Sequence, residues 1–385
     1  MNILVTGGAG FIGSHLVDAL IKRGDRVSVL DNLAGRVHPE RTWPTHLHTT
    51  AKRIRGDVED REDWIAALTH IDAVVHLAAY QDYQADFSRF ARVNDVGTAL
   101  LYQLLVEMGQ RVNRVVVASS QAVYGEGAYQ CAAHGRQYPS SRPSKQLAHG
   151  HWDLKCQICS GPLKPTASSE TTVGPTNAYA ISKLASESYA LAIGSRHDIP
   201  TTALRFSIIQ GPRQSPANAY SGVLRSFVGH IQHGRAPVVF EDGHQLRDYT
   251  HIRDAVSAIL IALDHPNAIG QVFNVGSGTK TSVKAYAETV LNALGSTFEP
   301  DVSGRYRVGD TRHVWSDTAR LKALGWAPEG TLESIVRDYV EWITDSEQTT
   351  DWSARALARM ESSGTVRRAV VNNPSTSPEQ TPLTS

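Results

Sequence analysis

Residues 2–31 read NILVTGGAGFIGSHLVDALIKRGDRVSVLD, and this stretch decides the fold. Residues 2–6 form a short apolar, β-branched run, followed by the glycines of 7–13 and by an amphipathic segment that stops at Gly24. The pattern predicts strand, glycine turn and helix. Side chains at that turn would keep the backbone N–H groups and the helix N-terminus from a pyrophosphate, and would hold the helix off the strand. A second apolar run, 26–30, ends in Asp31, at the spacing where an acid accepts hydrogen bonds from a ribose diol. Its negative charge would repel a 2′-phosphate, which favours NAD over NADP. Gly7, Gly10, Phe11, Ile12, Gly13, Asp31 and Asn32 are the first candidate cofactor residues.

Further apolar runs at 72–79 (DAVVHLAA), 113–120 (NRVVVASS) and 201–209 (TTALRFSII) alternate with helical segments. Such alternation predicts an α/β fold, a Rossmann doubly wound parallel sheet with helices on both faces. Ligands of these sheets bind beyond the carboxyl ends of the strands, where Asp57, Val58, Ala78, Ala79, Ser119 and Ser120 fall. Tyr179-Ala-Ile-Ser-Lys183 places a phenol and an ammonium on one helix face. The lysine charge, with an oxidised nicotinamide nearby, is expected to pull the phenol's pKa toward neutrality and make it a general base. The same spacing occurs by chance on solvated helices; here it gains weight from Ser120 and the dinucleotide turn.

Ten blocks in order carry a resemblance: TGGAGFIG (6–13), VLDNL (29–33), GDV (56–58), HLAA (76–79), Asn94 in VNDVGT, SSQAVYG (119–125), YAISK (179–183), LRDYTHIRDA (246–255), FNVGSG (273–278) and YRVGDTRH (306–313). The chain resembles an extended short-chain dehydrogenase/reductase of the UDP-glucose 4-epimerase type, from Met1 to about Thr344, interrupted only by an insertion. The resemblance implies that Ser120 polarises a sugar hydroxyl, Tyr179 moves its proton and Lys183 holds the nicotinamide ribose, with Asn94 beside the cofactor. It also implies that Gln81 and Gln121 meet the sugar, and that Arg247, Arg307 and Asp310 bind the nucleotide part of the substrate. A surface ion pair is the plainer reading of the last three.

Dehydratases of this type follow the active-site Ser/Thr with Asp-Glu; Gln121 and Ala122 stand there and transfer no proton. The resemblance then implies reversible oxidation at one carbon: a 4-keto sugar forms, turns over and is reduced to the epimer, with NAD retained. Ile208 occupies a place where relatives carry asparagine, which suggests a less polar sugar such as a 6-deoxyhexose. HLAAYQDY (76–83) and SSQAVYGEG (119–127) resemble dTDP-L-rhamnose 4-epimerases. UDP-glucose/UDP-galactose 4-epimerization and NAD(H)-dependent reduction of a nucleotide 4-ketosugar are the alternative activities.

The insertion, 126–170, holds all three cysteines, as Cys131-x-x-His134 and Cys156-x-x-Cys159. Two intervening residues let a tight turn aim both ligands at one ion, and Cys₃His is a common structural zinc set. His149 and His151 compete with His134 for the fourth place. Unliganded thiols and a Cys156–Cys159 disulfide are the other readings, the disulfide disfavoured in a reducing cytosol.

With 38 basic and 38 acidic residues among 385, the chain offers no field for nucleic acid or anionic membrane. It opens on its first strand and has no membrane-length apolar run, so a cytoplasmic location is expected. The expected organisation is a Rossmann domain from 1–211 plus 238–279, a nucleotide-sugar lobe from 212–237 plus 280–344, and a disordered tail, 345–385, relieved by one short helix over 352–361. His230, His233, His38, His46 and His48 read as ordinary surface histidines. The resemblance implies a homodimer built on two helices per subunit, one of them carrying Tyr179 and Lys183.

Overall fold

The computed structural model describes residues 1–82, 85–215, 217–218, 222–344 and 350–370. Seven parallel strands form its sheet: β1 (Asn2–Thr6), β2 (Arg26–Asp31), β3 (Lys52–Arg55), β4 (Ala73–His76), β5 (Arg114–Ser120), β6 (Thr201–Phe206) and β7 (Gln271–Val275). Their order is β7-β6-β5-β4-β1-β2-β3, with chain direction reversing its march between β1 and β4. Loops at that switch point diverge and leave the crevice in which this fold binds ligands. Val5 of β1 pairs with Val29 on one side and Val75 on the other, so the most apolar strands lie centrally.

Alternate side chains feed two cores. Ile3, Val5, Val75 and Val116 pack under Leu16, Val17 and Leu20 of helix α1 (Phe11–Lys22) and under Ala255, Ile259 and Ala262. Leu4, Val74, Val115 and Val117 face Trp64, Leu101, Tyr102 and Leu104 on the opposite face. Continuous Val/Ile/Leu runs covered on both sides are what a parallel sheet requires. The run expected at 201–209 breaks at Ser207; its last residues form a separate short strand, Ile208–Gln210, paired with Tyr249–His251. This break turns Ile208 away from the main sheet.

A third core unites Leu224, Phe227 and Val228 with Tyr286, Ala287 and Val290 and with Ile335, Val336 and Tyr339. It lies apart from the two cores that flank the sheet. Inside the insertion, Ala128–Cys131, Gly135–Gln137 and Lys164–Thr166 form a three-stranded antiparallel sheet. No described helix is long and apolar enough to cross a membrane.

The tail departs from expectation. Helix α2 (Trp352–Ser362) forms, but the chain continues into a strand, Val366–Arg368, antiparallel to Arg305–Arg307. Burial of Val366 and Ala369 anchors it. Two apolar residues paired with a strand some sixty positions earlier leave no local period to read. The expectation of disorder over 345–349 and 371–385 lies outside the described residues.

Candidate active site and the inserted knuckle

The long helix Ala178–Arg196 starts on Asn177, whose side chain accepts the Ala180 N–H at 2.9 Å. Its buried face carries Tyr179, Ala180, Ser182, Lys183, Ser186, Glu187 and Ala190, the 3.6-residue stripe of a helix lying on a sheet. Tyr179 and Lys183 thereby face the end of β5, where Ser120 stands. Ser120 and Gln81 both hydrogen-bond the Tyr179 phenol, Gln81 Nε2 donating at 2.5 Å.

Burial raises the Tyr179 phenol above its usual range, and the bonds from Gln81 and Ser120 pull it back. The pull expected of Lys183 together with an oxidised nicotinamide would act against this desolvation. Lys183 itself is 5% exposed and lowered to about 8 by burial, with Asp95 and Glu187 opposing. Asp95 is raised to about 6 by the same desolvation, moderated by Lys183.

A cavity of about 920 Å³ joins these groups to the N-terminal turn. Gly7, Gly10, Phe11, Ile12, Gly13, Asp31, Asn32, Asp57, Val58, Ala78 and Ala79 line one part of it. A Cβ on Gly13 would lie 2.3 Å from the Gly7 carbonyl oxygen, and one on Gly7, at φ +67°, 2.9 Å from the Ala78 nitrogen. Only glycine permits this approach, so the turn is a cradle a side chain would fill. Asp31 accepts the Ala9 and Leu33 N–H groups at 3.0 and 2.9 Å and faces the cavity from the end of β2. This donor and acceptor set fits NAD: the turn would take the pyrophosphate, Asp31 the adenosine ribose, and Tyr179 and Lys183 the nicotinamide ribose.

Asn94, expected beside the cofactor, is 2% exposed. It is absent from the cavity wall, and its amide bonds the Tyr80 backbone and Ser182 Oγ, the latter at 2.8 Å. It therefore ties the loop after β4 to the Tyr179 helix.

Gln81, Gln121, Arg247, Arg307 and Asp310 line the rest of the cavity. Asp310 bridges the two arginines, at 3.3 Å from Arg247 and 2.8 Å from Arg307, and they hold its carboxyl at about 2. The ion-pair reading and the nucleotide reading thus meet in one place. Gln121 Oε1, Gln214 Oε1 and Gln245 Oε1 are buried without a hydrogen-bond partner among the described residues, in side chains that line the cavity. Gln214 and Gln245 were not singled out by sequence, although Gln245 directly precedes the LRDY block.

Two further wall elements escaped the sequence reading. Ala356, Leu357 and Met360 of α2 line the cavity, as do Thr365 and Arg367. His230 also lines it and is 4% exposed, with Nδ1 2.7 Å from the Ser226 carbonyl, which corrects its reading as a surface residue. His38 and His46 are half-buried, and His38 lines the cavity near Asp31.

In the insertion, Cys131, His134, Cys156 and Cys159 converge, their ligand atoms all within 4.8 Å of one another. All three cysteines are free thiols, so the Cys156–Cys159 disulfide is not formed. His149 and His151 stack on each other and do not join this group, leaving His134 as its histidine.

One cavity thus holds a phenol, a serine hydroxyl and a lysine beside the glycine turn. Such a set on a doubly wound sheet is the arrangement of the short-chain dehydrogenases/reductases. The profile of the NAD dependent epimerase/dehydratase family matches residues 3–146 and 157–276, and the chain belongs to that family. It is an NAD-dependent enzyme of nucleotide-sugar epimerase type. The chain is 35% identical over 348 residues to a dTDP-L-rhamnose 4-epimerase of Burkholderia thailandensis, covering 89% of this chain and 94% of that protein. A solved UDP-glucose 4-epimerase of Thermotoga maritima with UDP-glucose superposes with a TM-score of 0.72 at 29% identity, over 90% of this chain and all of the other. The Thermus thermophilus UDP-glucose 4-epimerase complex with NAD gives 0.68 at 26% identity, again over 90% of this chain and all of the other.

Proposed function

We propose that the protein is a nucleotide-sugar 4-epimerase that acts on a dTDP-linked 6-deoxyhexose, dTDP-L-rhamnose foremost. The observation that carries the epimerase reading is Tyr179 held by Ser120 and Gln81 in the cavity, with Gln121 and Ala122 following Ser120. Tyr179 would take the C4 hydroxyl proton while Ser120 holds that oxygen, and would return the proton after the ring turns over. NAD supplies hydride acceptance and return at C4. Lys183 would hold the nicotinamide ribose and favour the phenolate by its charge. With no acid or base at 121 and 122, water elimination has no proton carrier there.

Arg247 and Arg307 would meet the diphosphate charge, with Asp310 fixing their guanidinium planes and accepting from a ribose hydroxyl. Ile208 lines the cavity and packs on the small-lobe core, an apolar wall suited to a C6 methyl group and poorly suited to a C6 hydroxyl. The unpartnered Gln121 oxygen is available to a remaining ring hydroxyl. Similarity to the Burkholderia enzyme supports the same sugar. Exposed Ile181 and Tyr189 on the Tyr179 helix, and Val106 on the neighbouring Gly97–Glu107 helix, supply the apolar face a homodimer would cover.

The test is incubation of the purified protein, without added reductant, with dTDP-L-rhamnose, UDP-glucose or UDP-galactose while the C4 proton is followed by NMR. Conversion of dTDP-L-rhamnose to its C4 epimer without net NADH supports the reading. Preferential conversion of a UDP sugar overturns the sugar assignment. Turnover only of a 4-keto substrate with NADH overturns the epimerase assignment in favour of a reductase.

A further inference from the structure

We propose that Cys131, His134, Cys156 and Cys159 hold one zinc ion in a closed tetrahedral site, and that this site positions the Arg307–Asp310 loop through the insertion. The first half rests on distances. Zinc bound tetrahedrally at about 2.3 Å to sulfur and about 2.05 Å to nitrogen sets sulfur–sulfur edges of about 3.8 Å and sulfur–nitrogen edges of about 3.6 Å. Three of the six edges match, 3.8 Å for Cys131–Cys159 and 3.6 Å from His134 Nδ1 to each of Cys131 and Cys156, and all four ligand atoms lie within 4.8 Å of one another. A disulfide would need its sulfurs near 2.05 Å.

The local chain is shaped for this. Cys131 ends one strand of a hairpin and Gly135, at φ +69°, begins the other, so residues 131–135 form a tight turn. Facing it, the Ser160 N–H donates to the Cys156 carbonyl at 2.8 Å and the Cys156 N–H to the Gly161 carbonyl at 2.9 Å. Two turns thus offer two ligands each, and four protein ligands leave no open position for chemistry.

The second half rests on what the insertion grips. Arg142, its side chain fully buried, pairs with Glu126 at 3.2 Å and Glu241 at 2.9 Å, and donates to the Asp310 carbonyl at 2.9 Å. Glu126 in turn accepts the Arg312 N–H at 2.7 Å. The Trp152 ring packs tilted against Tyr306, centroids 5.9 Å apart, beside Arg307. Glu126, Arg142 and Trp152 all belong to the insertion, so the loop bearing Arg307 and Asp310 is held from the knuckle's side. Three short strands and a small apolar cluster at Leu147 give the insertion little core of its own. A metal closing it supplies the missing cross-link.

The test begins with metal content of the full protein purified without chelator. About one zinc per chain is expected. Exchange with Co²⁺ should give thiolate charge-transfer and tetrahedral d–d absorption. Cys159→Ser, at the most exposed of the cysteines, should lose most of the zinc with bound NAD unchanged. Less than about 0.1 zinc per chain in wild type, even after incubation with Zn²⁺, overturns the site. Hydrogen exchange reads the second half without any substrate. Zinc removal should speed exchange of the Arg312 amide at least tenfold while the 7–13 turn is unchanged. Equal rates with and without zinc overturn the positioning role.

Discussion

Beneath the proposed active site, Glu187 and Arg205 form a buried bidentate pair whose loss should be felt in both stability and turnover. Each is under 5% exposed. Arg205 donates to the Glu187 oxygens at 2.6 and 2.9 Å, and Ser119, next to Ser120, donates to Glu187 at 2.6 Å. Arg205 also donates at 3.0 Å to the Tyr124 hydroxyl and to the Glu170 carbonyl. Glu187→Leu leaves the guanidinium without a counter-charge and the Ser119 hydroxyl without an acceptor. Breaking one side of such a pair costs about 3–5 kcal/mol, and an orphaned hydroxyl about 1–3. The two share one relaxation, so a loss of about 4 kcal/mol is expected. Removing both charges in Glu187→Leu/Arg205→Leu should recover about 2 kcal/mol of it, because no unpaired charge remains. Urea denaturation of wild type and both variants measures these values. A single variant losing under about 1 kcal/mol, or a double variant no more stable than the single, refutes the reasoning. Since Glu187 lies one turn beyond Lys183, a displaced helix should also lower turnover by about 10²-fold.

Tyr179→Phe should lower turnover by about 10²–10⁴-fold while NAD stays bound, as read by steady-state assay and cofactor extraction. Truncation after Thr350 removes α2 and the strand Val366–Arg368; NAD content should persist while KM for the nucleotide sugar rises at least tenfold, and an unchanged KM contradicts α2 as a wall of the cavity. His76, fully buried, is lowered to about 3 by desolvation and by Lys183. The folded state therefore refuses a proton that the unfolded chain takes below about pH 6.5, so stability falls as pH falls from 6.5 toward 3. From pH 6.5 to 4.5 this amounts to about 2–3 kcal/mol. Urea midpoints at those pH values, with His76→Gln flattening the profile, check it.

Those parts of the site set by local spacing were legible in the sequence. The glycine turn, Asp31, Ser120 and the Tyr179–Lys183 pair sit at strand ends or on one helix face, and their spacing alone carries them to one cavity. Asn94 was read from its block and not from its surroundings; its hydrogen bonds to Tyr80 and Ser182 depend on how two distant segments pack. His230 was misjudged because it shares a helix face with His233 and has no cysteine or acid nearby in sequence, whereas the cavity reaches that helix at Val223, Ser226 and His230. Arg142, Glu126, Glu241 and Arg312 carry no local pattern, standing up to 186 residues apart, and their burial together is a tertiary event. The Tyr179 phenol shows the same limit: spacing identifies its lysine, but its burial and its bonds from Gln81 and Ser120 come from tertiary packing.

The most direct test of the central claim uses dTDP-L-rhamnose carrying deuterium at C4, turned over in ordinary water. A proton moved by Tyr179 comes from the hydroxyl and exchanges with solvent, while the hydrogen on carbon is carried as hydride and never becomes a proton. The account predicts that the epimer retains deuterium at C4. Loss of that deuterium to solvent, at a rate matching epimerization, would mean deprotonation at carbon and would contradict it.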